Sequence, residues 1–237
     1  SADLLEALGA RIDLGPEAVG RCIDEAGFGF MFAPAHHQAT RYVVPVRSEL
    51  AVRTIFNLLG PLTNPAGARR QLIGVSDPAV LETIAGALAR LGVDRALVVS
   101  AEDGLDELSV VAGTKIVEVN GEEITRYTLT PGDVGIAQFS PDAFESACAG
   151  GTPEQNAAVT RAILAGDRRE AGEEPPSASV ELAAINAGAA IYTAGEADSI
   201  AAGVEAARAA LSSGAASDAL DRYVHATREH APARTGS

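Results

Sequence analysis

The sequence predicts an α/β fold: a mainly parallel sheet flanked by helices, with one β-hairpin and a helical carboxy-terminal part. Three observations carry this reading. QLIGV (71–75) and RALVVS (95–100) are short apolar runs joined by a helix-patterned segment, the spacing of a parallel crossover. TKIVEVNGEEITRYTLTP contains two alternating runs around Asn120-Gly121, which is a hairpin signal. From about Pro141 the chain turns alanine-rich and helical in pattern.

In order along the chain, ADLLEALG reads as a short helix ended by Gly9, and PEAVGRCIDEAG as a helix opened by Pro16 and closed by Gly27. FGFMFAP is an apolar run bounded by Gly and Pro, expected as a buried strand. HHQATRYVVPVRSELAVRTIFNLLG is broadly helical, with Pro45 expected to interrupt it. Asp77 is placed to cap a helix with Pro78 at its first position and Gly92 at its end. Val80, Leu81, Ile84, Leu88 and Leu91 fall on one face of that helix. A polar Pro/Gly-containing loop spans 166–179, and helices are predicted at 178–194, 198–213 and 215–228. The domain reading is one α/β domain over 1–228, incomplete at its amino terminus, and a disordered tail over 229–237.

Composition narrows the function classes. The 237 residues are 47% hydrophobic but only 4% aromatic, so Ala, Val, Leu and Ile must build the core. A net charge of −14 opposes general nucleic-acid or anionic-membrane binding. Cys22 and Cys148 give no disulfide framework or zinc spacing, which points to a cytoplasmic protein. Lys115 is the only lysine, a bias expected of a high-salt or GC-rich source. A melting temperature that climbs into molar KCl would bear this out, and a flat response would count against it.

Two constellations offer chemistry. AEDGLDELS follows a predicted parallel strand, beyond whose carboxyl end sites form. It brings Glu102, Asp103, Asp106 and Glu107 into six residues. Crowded carboxylates repel unless solvated or neutralised, and magnesium favours a few carboxylates with water and phosphate oxygens. A solvated acidic loop is the plainer alternative. The second constellation is the helix with His36, His37 and Arg47. Val43, Val44, Arg47 and Leu50 share helical spacing, which puts Arg47 on an apolar face where it needs an anion: a substrate carboxylate or an internal acid. His36 and His37 lack metal-ligand spacing and read as loop or capping residues. FNLLGPLTNP (56–65) is a stiff turn with Pro61 and Pro65. The sequence contains no G-x-S-x-G elbow, Walker loop or Rossmann fingerprint.

Taken together and in order, SADLLEALG, FMFAPAHHQA, VRSELAVRTIFNLLGPLTNP, QLIGV, DGLDELS, LTPGDVG, AGGTPEQNA and INAGAAIYTAG resemble the anthranilate phosphoribosyltransferase family, from Ser1 to about residue 225. The resemblance implies the carboxy-terminal α/β domain of the nucleoside phosphorylase and phosphoribosyltransferase type. The implied reaction moves the phosphoribosyl group of phosphoribosyl pyrophosphate to anthranilate, with loss of pyrophosphate, in tryptophan biosynthesis. It further implies that Arg47 holds the anthranilate carboxylate and that His37 and Pro61 line the anthranilate channel. Ser1 would touch phosphoribosyl pyrophosphate, while Asp106 and Glu107 would bind Mg2+. No residue is implied as a general acid or base, and the full-length enzyme would be a homodimer. The family's GTGGD-type loop and Lys-His-Gly-Asn segment have no counterpart in 1–237, so the chain is expected to be inactive alone. AHHQATR departs from the family's aromatic-His-Pro-Ala arrangement, and Ala51 stands where Gly is usual. A pyrimidine nucleoside phosphorylase-type enzyme and a non-catalytic binding module on the same scaffold are the competing readings.

Overall fold

The computed structural model describes residues 2–32, 62–166 and 177–232. The chain divides into two compact units: 1–52, 150–168 and 210–237 in the first, 53–149 and 169–209 in the second. Each is built by itself below.

The first unit is helical among its described residues. It contains α1 (Ala2–Ala7) and α2 (Pro16–Ala26). Pro16 opens α2 and Gly27 ends it in the left-handed conformation, as the sequence predicts. The core gathers Leu14, Val19, Cys22, Tyr223 and Ala226. The expected strand at FGFMFAP does not form over its described part. Residues 28–32 have no strand partner among the described residues. Phe28 instead meets Tyr223 edge-on at 4.7 Å, and Phe30 and Met31 pack on the helical core. An extended apolar run becomes a strand only where another backbone can pair with it.

The second unit holds a four-stranded sheet in the order β1-β2-β3-β4. The strands are β1 (Arg70–Gly74), β2 (Arg95–Ala101), β3 (Thr114–Asn120) and β4 (Glu123–Leu129). β1 and β2 are parallel, joined by a 3-10 turn (Pro78–Val80) and α3 (Leu81–Arg90). Asp77 accepts from the Ala79 N–H, so the predicted cap forms. The mainly parallel sheet expected from sequence is a mixed one here. β2–β3 and β3–β4 are antiparallel, because the hairpin joins the sheet as two of its four strands. Leu91 departs from the expected apolar face of α3 and is 64% exposed, lying past the last helical turn.

β2 is the strand around which both cores are built. All its residues but Arg95 are buried. Leu97 and Val99 face one cluster with Leu108, Ile116 and Ile185, while Ala96 and Val98 face another with Ile84, Leu88 and Val117. Each such large apolar side chain contributes about 1.5–3 kcal/mol on burial.

The remaining helices are α4 (Pro141–Cys148), α5 (Pro153–Leu164), α6 (Ala178–Ala194), α7 (Ile200–Ser213) and α8 (Ala215–His230). α5 and α8 belong to the first unit, α4 and α6 to the second, and the unit boundary falls inside α7. Side chains tie the first unit together: Arg161 donates to the Leu8 carbonyl at 2.7 Å and Arg228 to that of Gly9 at 2.8 Å. Thr130 with Asp133, and Thr152 with Gln155, form capping boxes within LTPGDVG and AGGTPEQNA. α6 and α7 approach so closely at Gly188 and Gly203 that a Cβ on either would overlap backbone atoms of the other helix. α8 runs to His230, two residues past the expected domain end at 228.

Candidate active site

β2 delivers the chain to Ala101, and the loop that follows folds back on the strand end. Ala101 N–H donates to the Leu105 carbonyl (3.0 Å) and Glu102 N–H to that of Gly113 (2.9 Å). β1 ends beside this loop. A Cβ at Gly74 would overlap the Asp106 carbonyl oxygen, so only glycine lets the loop lie against the strand. Leu108, fully buried, plugs the loop into the core beneath.

The four loop acids do not act alike. Asp103, exposed like the others, is engaged within the loop, accepting from Ser109 Oγ at 2.5 Å and from the Leu105 N–H at 3.4 Å. Ser109 Oγ in turn accepts from the Val111 and Ala112 N–H groups. Glu102 lies against Gly113. Asp106 and Glu107 remain exposed and have no ion-pair partner among the described residues. Although its surface is open, protein atoms crowd the Glu107 carboxyl. That desolvation, reinforced by the charge of Asp106, raises its pKa. Burial raises the Cys148 thiol, and the Glu107 charge adds to the shift, so Cys148 lies within electrostatic reach of the site.

Two adjacent outward carboxylates without a basic partner fit a hard divalent cation whose other ligands are water and phosphate oxygens. They do not form a closed cage. The one group of three or more ligand-type side chains among the described residues is Glu25, Glu229 and His230, in the first unit. His230 Nε2 already lies 2.8 Å from Glu25 Oε1, which accounts for that group as a tie between α2 and α8.

Sequence reasoning missed the supports of this loop. Asn186 of α6 accepts from the Leu108 N–H at 2.9 Å and donates to the Leu108 carbonyl at 3.0 Å. Its signal is a lone amide among alanines in AAINAGAA. Glu118 was missed too. It shares the inward face of β3 with Ile116, and its carboxylate accepts from Tyr127 (3.0 Å) and Tyr192 (2.8 Å). Both phenols are raised in pKa, by burial first and then by the Glu118 carboxylate. Arg95 sits 4.8 Å over the Tyr192 ring. An open cavity of about 320 Å³ lies here, lined by Glu118, Tyr127, Asp133, Tyr192 and Asp198 among others; no residue of the 102–109 loop lines it.

The sequence model of the glycosyl transferase family, a/b domain, matches residues 1–217. The chain belongs to this family. Within the glycosyl transferase family, the chain is 51% identical over 228 residues to an anthranilate phosphoribosyltransferase of Rubrobacter xylanophilus, covering 96% of this chain and 64% of that protein. It is also 51% identical over 220 residues to one from Natronomonas pharaonis, covering 93% and 62%. The chain therefore spans somewhat less than two thirds of the length of these relatives. Among solved structures it is similar to the anthranilate phosphoribosyltransferase of Thermus thermophilus, at 47% identity and a TM-score of 0.83, covering 96% of this chain and 64% of that one. The Saccharomyces cerevisiae enzyme in complex with PRPP and Mg has the same fold, at 22% identity, a TM-score of 0.84, and coverage of 96% and 62%.

Of the residues that the family resemblance implicates, Asp106 and Glu107 are the pair that lies within the described residues. Ser1, His37, Arg47 and Pro61 lie outside them, as do His36 and Pro45. No helix among the described residues is long and apolar enough to cross a membrane.

Proposed function

We propose that this chain is the phosphoribosyl-transferring α/β part of an anthranilate phosphoribosyltransferase. The reaction would join the anthranilate amino group to C1 of phosphoribosyl pyrophosphate and release pyrophosphate. The observation that carries the proposal is the exposed Asp106 and Glu107 pair at the carboxyl end of β2, unpaired among the described residues and set in DGLDELS. The 51% identity to relatives of that name supports it.

In this reading Asp106 and Glu107 would hold Mg2+, which when bound would supply positive charge against the charge of the departing pyrophosphate. These carboxylates act by electrostatics and position, with no proton to carry, because a neutral aromatic amine is already nucleophilic. Arg47 would orient anthranilate through its carboxylate, a bidentate match of planar groups. His37 and Pro61 would line the channel by which anthranilate enters, and Ser1 would contact phosphoribosyl pyrophosphate. The domain assignment of 1–228 to one catalytic domain and the homodimer belong to the same proposal and rest on the resemblance, while the cytoplasmic location rests on the cysteine usage.

The test follows loss of anthranilate fluorescence with phosphoribosyl pyrophosphate and Mg2+. It is run on this chain and, in parallel, on the chain joined to the amino-terminal segment of the Rubrobacter relative. Transfer is expected from the joined protein and none from the 237 residues alone. A joined protein that folds but consumes uracil or thymine riboside with phosphate, and ignores anthranilate, would establish the nucleoside phosphorylase reading instead.

A further inference from the structure

Asp106 and Glu107 are exposed side chains on a loop, yet the backbone is held on either side of them, at Leu105 and at Leu108. On one side lies Gly74, whose missing side chain makes room for the Asp106 carbonyl oxygen. On the other lies Asn186. Its amide accepts from the N–H of Leu108 (2.9 Å) and donates both to the carbonyl of Leu108 and to that of Leu182, each at 3.0 Å. A side-chain amide carries a donor and an acceptor on one planar group whatever the pH, so it can close both backbone groups of a single residue, as a neighbouring strand would. The two partners are of opposite type, so they also fix which way the amide faces. Leu108 is fully buried and directly follows Glu107, so displacement of its backbone carries the Glu107 side chain with it.

Nothing about this arrangement is needed to finish α6. The helix closes its own backbone bonds and needs no amide at 186 to do so. The amide is explained by what it grips.

We propose that Asn186 is a positioning residue, which with Gly74 as its counter-surface fixes the Asp106 and Glu107 carboxylates in the arrangement that takes a divalent cation. The proposal rests on the metal reading of that loop given above. It assigns to INAGAAIYTAG, until now only a matching stretch, a task at the site. Partners that orient metal ligands typically govern metal affinity by about 10–100-fold.

The experiment uses the 15N-labelled 237-residue chain and Mn2+ alone as a paramagnetic probe. Broadening of the amide signals of residues 106–109 is read against Mn2+ concentration, at a temperature below each variant's melting transition. Asn186→Ser and Asn186→Leu remove the grip with small and near-isosteric side chains. Gly74→Ala displaces the loop from the opposite side without touching Asn186. At least a tenfold rise in the Mn2+ needed for half-maximal broadening is expected in these variants, with the β3 signals of Val117 and Val119 unmoved. Half-maximal concentrations within twofold of the parent in both the Asn186 variants and Gly74→Ala would overturn the proposal. Asp106→Asn with Glu107→Gln separates the two levels. If that double variant still broadens like the parent, the metal reading itself fails and the positioning role falls with it. If it abolishes broadening while the Asn186 and Gly74 variants behave as the parent, only the positioning role fails.

Discussion

Glu107 and Glu118 belong to the same unit and have opposite surroundings. Glu118 lies on the inward face of β3 and is closed by two phenol donors. Glu107 stands in solvent beside Asp106, with crowding and a like charge raising its pKa and no described basic group to relieve it. Three other acids of the unit resemble Glu118 in being partnered. Asp94 is lowered by hydrogen bonds from Arg69, Glu82 by those from Arg126, and Asp133 by those from Thr130. In the proposed reading, the partner that Glu107 lacks is a cation that arrives from outside.

The sharpest way to break this contrast is to neutralise both sides of it. Asp106→Asn with Glu107→Gln, in the joined protein described above, should lower Mg2+-dependent transfer about a hundredfold or more. Its melting temperature should stay near that of the parent, and wild-type rates would remove the metal assignment. Arg47→Ala should raise the anthranilate KM about tenfold or more, the scale of a lost charge-assisted pair. The KM for phosphoribosyl pyrophosphate should move little, and equal effects on both would contradict the carboxylate role. Glu118→Ala is the opposite case. It strands two half-buried phenols and should cost about 2–3 kcal/mol in denaturant unfolding, with turnover below the melting transition unchanged.

The smallest effect is expected on acid stability. Asp94, Glu82 and Asp133 have folded pKa values below the ordinary 3.8 and 4.5. Their contribution is therefore complete above about pH 4.5 and lost as the pH falls through the lowered folded values. Asp94→Asn together with Asp133→Asn should flatten the stability loss between about pH 4 and pH 2, by lowering stability slightly at neutral pH while leaving the variant and the parent alike near pH 2. An unchanged acid limb would show that these exposed partners contribute nothing measurable, as many surface pairs do.

What the sequence made legible was local. The Asp77 cap, the Gly27 helix end, the crossover between β1 and β2, and the hairpin at 114–129 each follow from residues a few positions apart, and each is present. The acidic loop was legible as a cluster, and its place after β2 follows from the same crossover. Which of its four acids are left without a partner was not legible, because Asp103 is taken by Ser109, and a sequence pattern carries no sign of that bond. The Asn186 contact joins residues 78 positions apart and the Tyr192 contact joins residues 74 apart. Both depend on how α6 lies across the sheet. The run at 28–32 failed as a strand for a related reason: its apolar pattern was read correctly, but its partners are helices.

α6 meets the loop through Asn186, α7 through Gly188 and the sheet face through Tyr192, all within two turns. Successive residues of a helix are rotated by about 100°. Removing or adding one residue between Asn186 and Tyr192 therefore swings one contact away whenever the other is kept. Point changes at exposed positions of this helix, such as Ala187 or Ala190, leave that phase intact. A change of length does not, so among related chains this stretch should tolerate substitution far better than insertion or deletion, and a chimera joined inside it should fail where one joined at Gly195 succeeds.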